Sequence, residues 1–194
     1  MIVAIINYNA GNTASVANAL GRLGIEPVIT DDAARLKVAD RVIFPGVGEA
    51  STAMKYLRTR GLDTVIKSLT QPVLGICLGM QLLCASSEEN DTECLGVVKS
   101  RVRKFESANL KIPHVGWNTI GDLRSPIFDG IEGGEYFYFV HGYYVETNQE
   151  TTATCEYAAK FSAAFEHGNF FGVQFHPEKS GEAGQRILEN FLKI

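Results

Sequence analysis

Residues 72–83 read PVLGICLGMQLL, an apolar run interrupted by Gly75 and Gly79 with Cys77 midway between them. Pro72 opens a buried strand, VLGI, and helical periodicity resumes from Leu78. A strand that turns sharply into a helix at a non-glycine residue forces that residue into strained backbone geometry, which needs small neighbours on either side. Gly-x-Cys-x-Gly thus predicts a strand–turn–helix with the cysteine at the bend. Such a unit belongs in a parallel sheet with helices on both faces.

The first half of the chain fits that frame. IVAII (2–6), PVIT (27–30) and RVIF (41–44) read as short buried strands. Asn12 or Thr13 is expected to cap a helix running through Leu23, with Gly24 just past its end. A second helical stretch spans about Glu49 to Arg60. The second half changes character: LGVVKSRVRKF, EYFYFVHGYYVE and the pair FSAAFE/NFFGVQF alternate apolar and polar residues or carry aromatics. His167-Gly168 joins the last pair as a hairpin. All three stretches are expected to extend the parallel sheet in antiparallel fashion, and a helix from Glu182 to Ile194 closes the chain through Ile187, Leu188, Phe191 and Leu192. The expected fold is a single domain over 1–194: three-layer α/β/α, with a central mixed, largely parallel sheet and an antiparallel extension.

The bend also has chemical meaning. It presents the Cys77 sulfur at the carboxyl end of the sheet, where a helix N-terminus favours thiolate and the Leu78 N–H can meet an oxyanion. An unpaired cysteine is more commonly a small core hydrophobe, so the reading needs a base. His176 supplies one in GVQFHPEKS, where Pro177 holds it extended and the i, i+2 relation brings Glu178 to the same side. Glu178 then orients the imidazole, which makes Cys77, His176 and Glu178 a candidate triad. In FPGVG, residues 44–48, a Val47 or Gly48 N–H supplies a second oxyanion donor. Reading GVGEAS as a dinucleotide fingerprint fails, because it follows the third strand and no acidic strand end lies about 20 residues on.

Composition narrows the remaining classes. With 18 Lys+Arg against 22 Asp+Glu, the net charge is −4 and no basic block stands out, so neither nucleic acid nor an anionic membrane is expected as partner. The start, MIVAIINYNA, carries no basic leader, and no apolar run is long enough to span a bilayer. The four cysteines are expected as reduced thiols in the cytoplasm, and the four histidines have no metal-ligand spacing, so neither a metal nor another cofactor is expected.

GICLGMQLL, FPGVG and FHPEKS together resemble the triad-type (class I) glutamine amidotransferases. AGN at 10–12, PHVGWN at 113–118, YFYFVHGYY at 136–144 and the final helix extend the resemblance along the chain, closest to the glutaminase subunits of imidazole glycerol phosphate synthases. The resemblance implies that Cys77 attacks the glutamine carboxamide, His176 passes the proton to the leaving ammonia, and Glu178 orients His176. It implies that Gly48, Gln81, Glu89, Gly142 and Tyr143 line the glutamine pocket. Asn12, Trp117, Tyr138 and Lys179 would face a cyclase subunit, a (β/α)₈ barrel, in a heterodimer that uses the ammonia for histidine biosynthesis. Two motifs depart from the family: Asn7-Tyr8-Asn9 stands where Asp-Tyr-Gly is usual, and His141-Gly142-Tyr143 where His-Ser-Tyr is usual.

Without the resemblance, Tyr138, Tyr143 and Trp117 read as strand packing, Glu89 as a solvated helix end and Lys179 as a surface lysine. Two other functions stay open on the sequence. One is a free-standing amidase or different glutaminase of the same fold, and the other is a non-catalytic binding subunit. Ammonia made in the cleft would be protonated in bulk water, so a docked subunit with a dry path is favoured. Low glutaminase activity of the isolated chain would follow from an incompletely organised oxyanion loop around Val47.

Overall fold

The computed structural model describes residues 1–8 and 12–194. Its first half alternates strands and helices, with two helices between the third and fourth strands: β1 (Val3–Ile6), α1 (Thr13–Arg22), β2 (Val28–Thr30), α2 (Ala33–Val38), β3 (Arg41–Gly46), α3 (Ala50–Thr59), α4 (Leu62–Lys67), β4 (Val73–Cys77) and α5 (Leu78–Leu82). Thereafter come β5 (Ser86–Ser87), β6 (Thr92–Glu93), β7 (Arg101–Lys104), β8 (His114–Thr119), β9 (Tyr136–His141), β10 (Tyr143–Val145), β11 (Thr151–Tyr157), β12 (Ala159–His167), β13 (Phe170–Val173) and α6 (Gly181–Lys193).

The central sheet has seven strands in the order β11-β12-β13-β4-β3-β1-β2. From β13 to β2 all neighbours are parallel, and β12 and β11 continue antiparallel beyond β13. Alternation along β1 shows why both faces are covered. Val3 and Ile5 point into a cluster with Val16 and Leu20 of α1 and Ile187, Leu188 and Phe191 of α6. Ala4 and Ile6 point the other way, against Leu36 of α2, Met54 and Leu57 of α3, Leu62 and Ile66 of α4, and Met80 and Leu82 of α5. Two buried faces make the strands continuously apolar, which is the signature of a three-layer α/β/α domain.

The antiparallel extension is smaller than expected. Only β11 and β12 provide it, whereas LGVVKSRVRKF and EYFYFVHGYYVE build a separate four-stranded sheet, β10-β7-β5-β6, and a two-stranded ribbon, β8-β9. The alternation reflects one-sided burial outside the central sheet: β9 turns Phe137 and Phe139 down onto the core of that sheet as a covering layer. The hairpin turn also shifts by one residue. His167 pairs with Phe170, so Gly168 (φ +59°) and Asn169 make the turn.

Helix α1 ends as the sequence suggests. Gly24 (φ +76°) donates to the Gly21 carbonyl and Ile25 to that of Leu20, a Schellman closure. Its start differs: Asn12 occupies the cap position with φ +96° and makes no side-chain cap bond. Asn9, Ala10 and Gly11, part of two motifs quoted above, lie outside the described residues.

Candidate active site

Cys77 is the last residue of β4 and the hinge into α5, with φ +53° and ψ −109°. That conformation costs a non-glycine residue of order 1–3 kcal/mol and persists only where the surroundings impose it. The two flanking glycines provide that imposition. A Cβ on Gly79 would collide with the Phe44 carbonyl oxygen and lie 2.8 Å from the Phe44 carbonyl carbon, while one on Gly75 would sit 2.8 Å from the Met80 nitrogen. Their absence lets α5 settle directly on β3 and β4. The sulfur is not fully presented to solvent as the elbow reading suggests, since Cys77 is only 6% exposed.

His176 follows β13, the neighbour of β4, and Gly172 and Val173 pair with Gly75 and Ile76. Its Nδ1 lies 2.7 Å from Glu178 Oε1, both side chains being buried. The i, i+2 contact forms by a different route from the one expected. His176 is extended before Pro177, but Pro177–Lys179 is a turn of 3₁₀ helix that folds Glu178 back. Proline at the first position pre-sets φ for that turn and loses no needed donor. Ser180 fixes the turn against β9, accepting from the Tyr138 N–H at 3.0 Å and donating to the His176 carbonyl at 2.7 Å.

Burial opposes charge on His176, but its contacts with Cys77 and with the Glu178 carboxylate outweigh burial and push the imidazole up to about 10. It is therefore an imidazolium at neutral pH, with Nε2 buried and without a hydrogen-bond partner among the described residues. A second donor reaches Glu178 Oε1 from the Asn12 side chain. The residue expected at a subunit interface thus touches the Glu178 carboxylate, and this contact explains why it does not cap α1.

One cavity of about 240 Å³ opens on the sulfur, lined by Val47, Gly48, Cys77, Leu78, Gln81, Glu89, Pro113, Val140, His141, Gly142 and Tyr143. All seven residues expected in the oxyanion and glutamine-binding set are among them. Gly46 pairs with Cys77 across β3 and β4, which places the Val47-Gly48 turn beside Cys77, and Gly48 has φ +114°. Glu89 is half-buried; burial raises its pKa, and its Oε2 accepts the Ala50 N–H at 2.7 Å. At Gly142 an added Cβ would meet only Pro113 Cβ, at 3.8 Å, so the departure from serine leaves room rather than filling it.

Pro113, Val140 and His141 line the cavity without having been singled out. They arrive through the register of the β8–β9 ribbon, His114 opposite His141 and Val115 opposite Val140, which no local periodicity records. Burial holds His141 down at about 3 and His114 at about 4, so both are neutral at pH 7.

The remaining expected residues lie together on the outer side of the same ribbon. Trp117 pairs with Tyr138, their rings 5.9 Å apart, and the Lys179 ammonium sits 5.9 Å over the Tyr138 ring. Val115 (58% exposed), Trp117 (54%) and Tyr136 (61%) leave this face apolar and open.

The description Glutamine amidotransferase class-I matches residues 4–194. "Imidazole glycerol phosphate synthase subunit HisH" of Bacteroides fragilis (strain YCH46) is 55% identical over 196 residues, covering 100% of both chains. The protein of that name from Idiomarina loihiensis is 44% identical, covering 100% of this chain and 98% of its own. Among solved structures, a glutamine amidotransferase superposes with a TM-score of 0.77 at 20% identity, covering 100% of this chain and 98% of its own. PurLQS from Thermotoga maritima gives 0.72 at 19%, covering 98% and 97%. These two likenesses carry the fold, whereas the family match and the full-length identities carry membership: the chain belongs to the class-I glutamine amidotransferases.

Proposed function

We propose that the chain is the glutaminase subunit of an imidazole glycerol phosphate synthase, acting through Cys77, His176 and Glu178. The observation that carries the chemistry is the junction of a strained cysteine, a buried imidazolium and a buried carboxylate at one end of a cavity of amino-acid size. Cys77 Sγ attacks the side-chain carboxamide carbon of glutamine. The developing oxyanion is met by the Leu78 N–H and by an N–H of the Val47-Gly48 turn. His176 delivers the Nε2 proton to the departing ammonia, then takes one from the water that hydrolyses the γ-glutamyl thioester and releases glutamate. Glu178 keeps Nδ1 protonated and the ring aligned, and Asn12 holds that carboxylate. Gln81, Glu89, Gly142 and Tyr143 surround the substrate's amino-acid end. A partly buried carboxylate at Glu89 suits its ammonium, and at Gly142 only the backbone N–H is left for its carboxylate.

Ammonia needs a recipient. The full-length identity to synthase subunits supports a cyclase partner, and the exposed Val115–Trp117–Tyr136 face supports a docking surface that runs from the ribbon to Lys179. We assign Asn12, Trp117, Tyr138 and Lys179 to that side of the molecule, a (β/α)₈ barrel as the partner, and the cytoplasm as the place of work. No helix among the described residues is long and apolar enough to cross a membrane.

The test is glutamate release from glutamine by the purified chain, alone and with the cyclase subunit and its ribotide ligand. Stimulation of at least about 10²-fold, the worth of one completed oxyanion donor, is expected on adding partner and ligand. High turnover by the chain alone, unchanged by the cyclase, would instead identify a free-standing glutaminase.

A further inference from the structure

Cys77 Sγ has a polar neighbour outside the triad. Gln174 lies two residues before His176, is completely buried, and aims Nε2 at the sulfur across 3.6 Å. It lines no part of the cavity and has no place in the mechanism above.

The direction of this contact is fixed from the far end of a chain of hydrogen bonds. The Tyr143 carbonyl oxygen can only accept, and it takes Gln81 Nε2–H at 2.9 Å and His141 Nδ1–H at 2.8 Å. The second hydrogen on Gln81 Nε2 finds its acceptor in Gln174 Oε1 at 2.9 Å. With its oxygen so engaged, Gln174 has only its NH₂ group to present to the sulfur. Turning either amide over would set donor against donor or acceptor against acceptor. The same logic continues outward: His141 donates from Nδ1, so its Nε2 accepts from His114 Nδ1–H at 3.1 Å.

The sulfur therefore stands between two groups of opposite preference. The Val140 carbonyl, 3.8 Å away, can accept from a thiol. The Gln174 amide can donate to a thiolate, and a donor to a charged acceptor is the stronger contact.

We infer that Gln174 is a positioning residue for the nucleophile: its amide holds Cys77 Sγ as an anionic acceptor beside His176, and Gln81 ties that amide to the cavity wall at Tyr143. The inference rests on the reading of Cys77 as the nucleophile. It makes the wall that faces the substrate and the sulfur that attacks it one hydrogen-bonded unit of buried groups, in which a displacement of Tyr143 is transmitted to Sγ.

Two variants test this, Gln174→Met, which keeps volume and removes the donor, and Gln174→Glu, which keeps an acceptor for Gln81 but turns an oxygen to the sulfur. The titratable groups facing the sulfur, His176 and Tyr8, with His141 and Glu89 around the cavity, stay unchanged. Iodoacetamide alkylation of Cys77 is followed against pH on the intact chain, with the labelled peptide identified by mass. Near pH 7 the rate is expected to fall about ten- to hundredfold in Gln174→Met, the worth of one hydrogen bond to a charged group, and further in Gln174→Glu. The profile moves to higher pH and its plateau is retained. In glutamate release with the cyclase and its ligand, kcat falls by a similar factor and KM stays within about threefold.

A folded variant with the parental alkylation profile would overturn the inference, and so would failure of both variants to fold, since Gln174 would then merely fill space. Alkylation reads the sulfur whether or not glutamine is its substrate. A parental chain that alkylates at Cys77 but releases no glutamate would end the proposed function and leave this inference standing.

Discussion

Cys77→Gly is expected to abolish glutamate release, by on the order of 10⁴-fold or more, while making the protein about 1 kcal/mol more stable. The first effect follows from removing the sulfur proposed to form the thioester. The second follows from φ +53° and ψ −109° at residue 77, which a glycine adopts without strain. Relief of roughly 1–3 kcal/mol is offset by the extra freedom glycine gives the unfolded chain, roughly 0.5–1 kcal/mol. The comparison belongs across a range of pH. The raised pKa of His176 contributes stability that is fully present below the unfolded value of about 6.5 and is lost as pH rises through about 10. Because Cys77 helps to raise it, the variant surrenders part of that contribution, and its advantage widens as pH increases. Thermal unfolding of both proteins at several pH values checks this, and a variant less stable than the parent near pH 10 contradicts the strain account.

Gly79→Ala is expected to be the most damaging single-methyl change in the site, costing more than about 3 kcal/mol or preventing folding. The added Cβ would run into the carbonyl of Phe44, a fully buried residue of β3, and backbone has little freedom to retreat in a close-packed interior. Helix α5 would have to lift from the sheet, taking with it the buried Leu78, Met80 and Leu82 and the Gln81 amide. Gly21, near the end of α1, provides the control. A Cβ there meets nothing within 4 Å, so Gly21→Ala should raise stability by up to about 1 kcal/mol through helix propensity. Denaturant midpoints measure both, and similar midpoints for the two variants would refute the close-approach argument.

Gly75 and Gly79 also show how far the sequence could be read. GICLG announces its own geometry, because only one local structure demands small residues on both sides of a cysteine, and β4, α5 and their place in a parallel sheet follow. The contact between His176 and Glu178 was legible as well, though the expected route to it was an extended chain and the structure has a 3₁₀ turn. Elements with weak apolar signals were harder. Strand β11 buries Thr151, Ala153 and Cys155 in regular alternation, but side chains that small or polar hardly register as a hydrophobic pattern. Helix α2 is six residues long, and its clearest mark is Asp32 accepting the Arg35 N–H at 2.9 Å.

The cavity wall was the least accessible part. Gly142 and Tyr143 came from the family resemblance, whereas Pro113, Val140 and His141 are brought there by strand register, and Gln174 behind them is tied in by side-chain amide hydrogen bonds between residues 62 to 97 positions apart. His114 and His141 pack against each other among Phe105, Phe139, Tyr157 and Phe161, and His141 Nδ1–H donates to the Tyr143 carbonyl.

The most direct test of the central claim is to mix the complete enzyme with glutamine, quench in acid during turnover, and weigh the peptides of this chain. The account predicts a γ-glutamyl adduct on the peptide that carries Cys77, absent from Cys77→Ala. Parental glutamate release by Cys77→Ala, or an adduct on Cys84, Cys94 or Cys155, would contradict it.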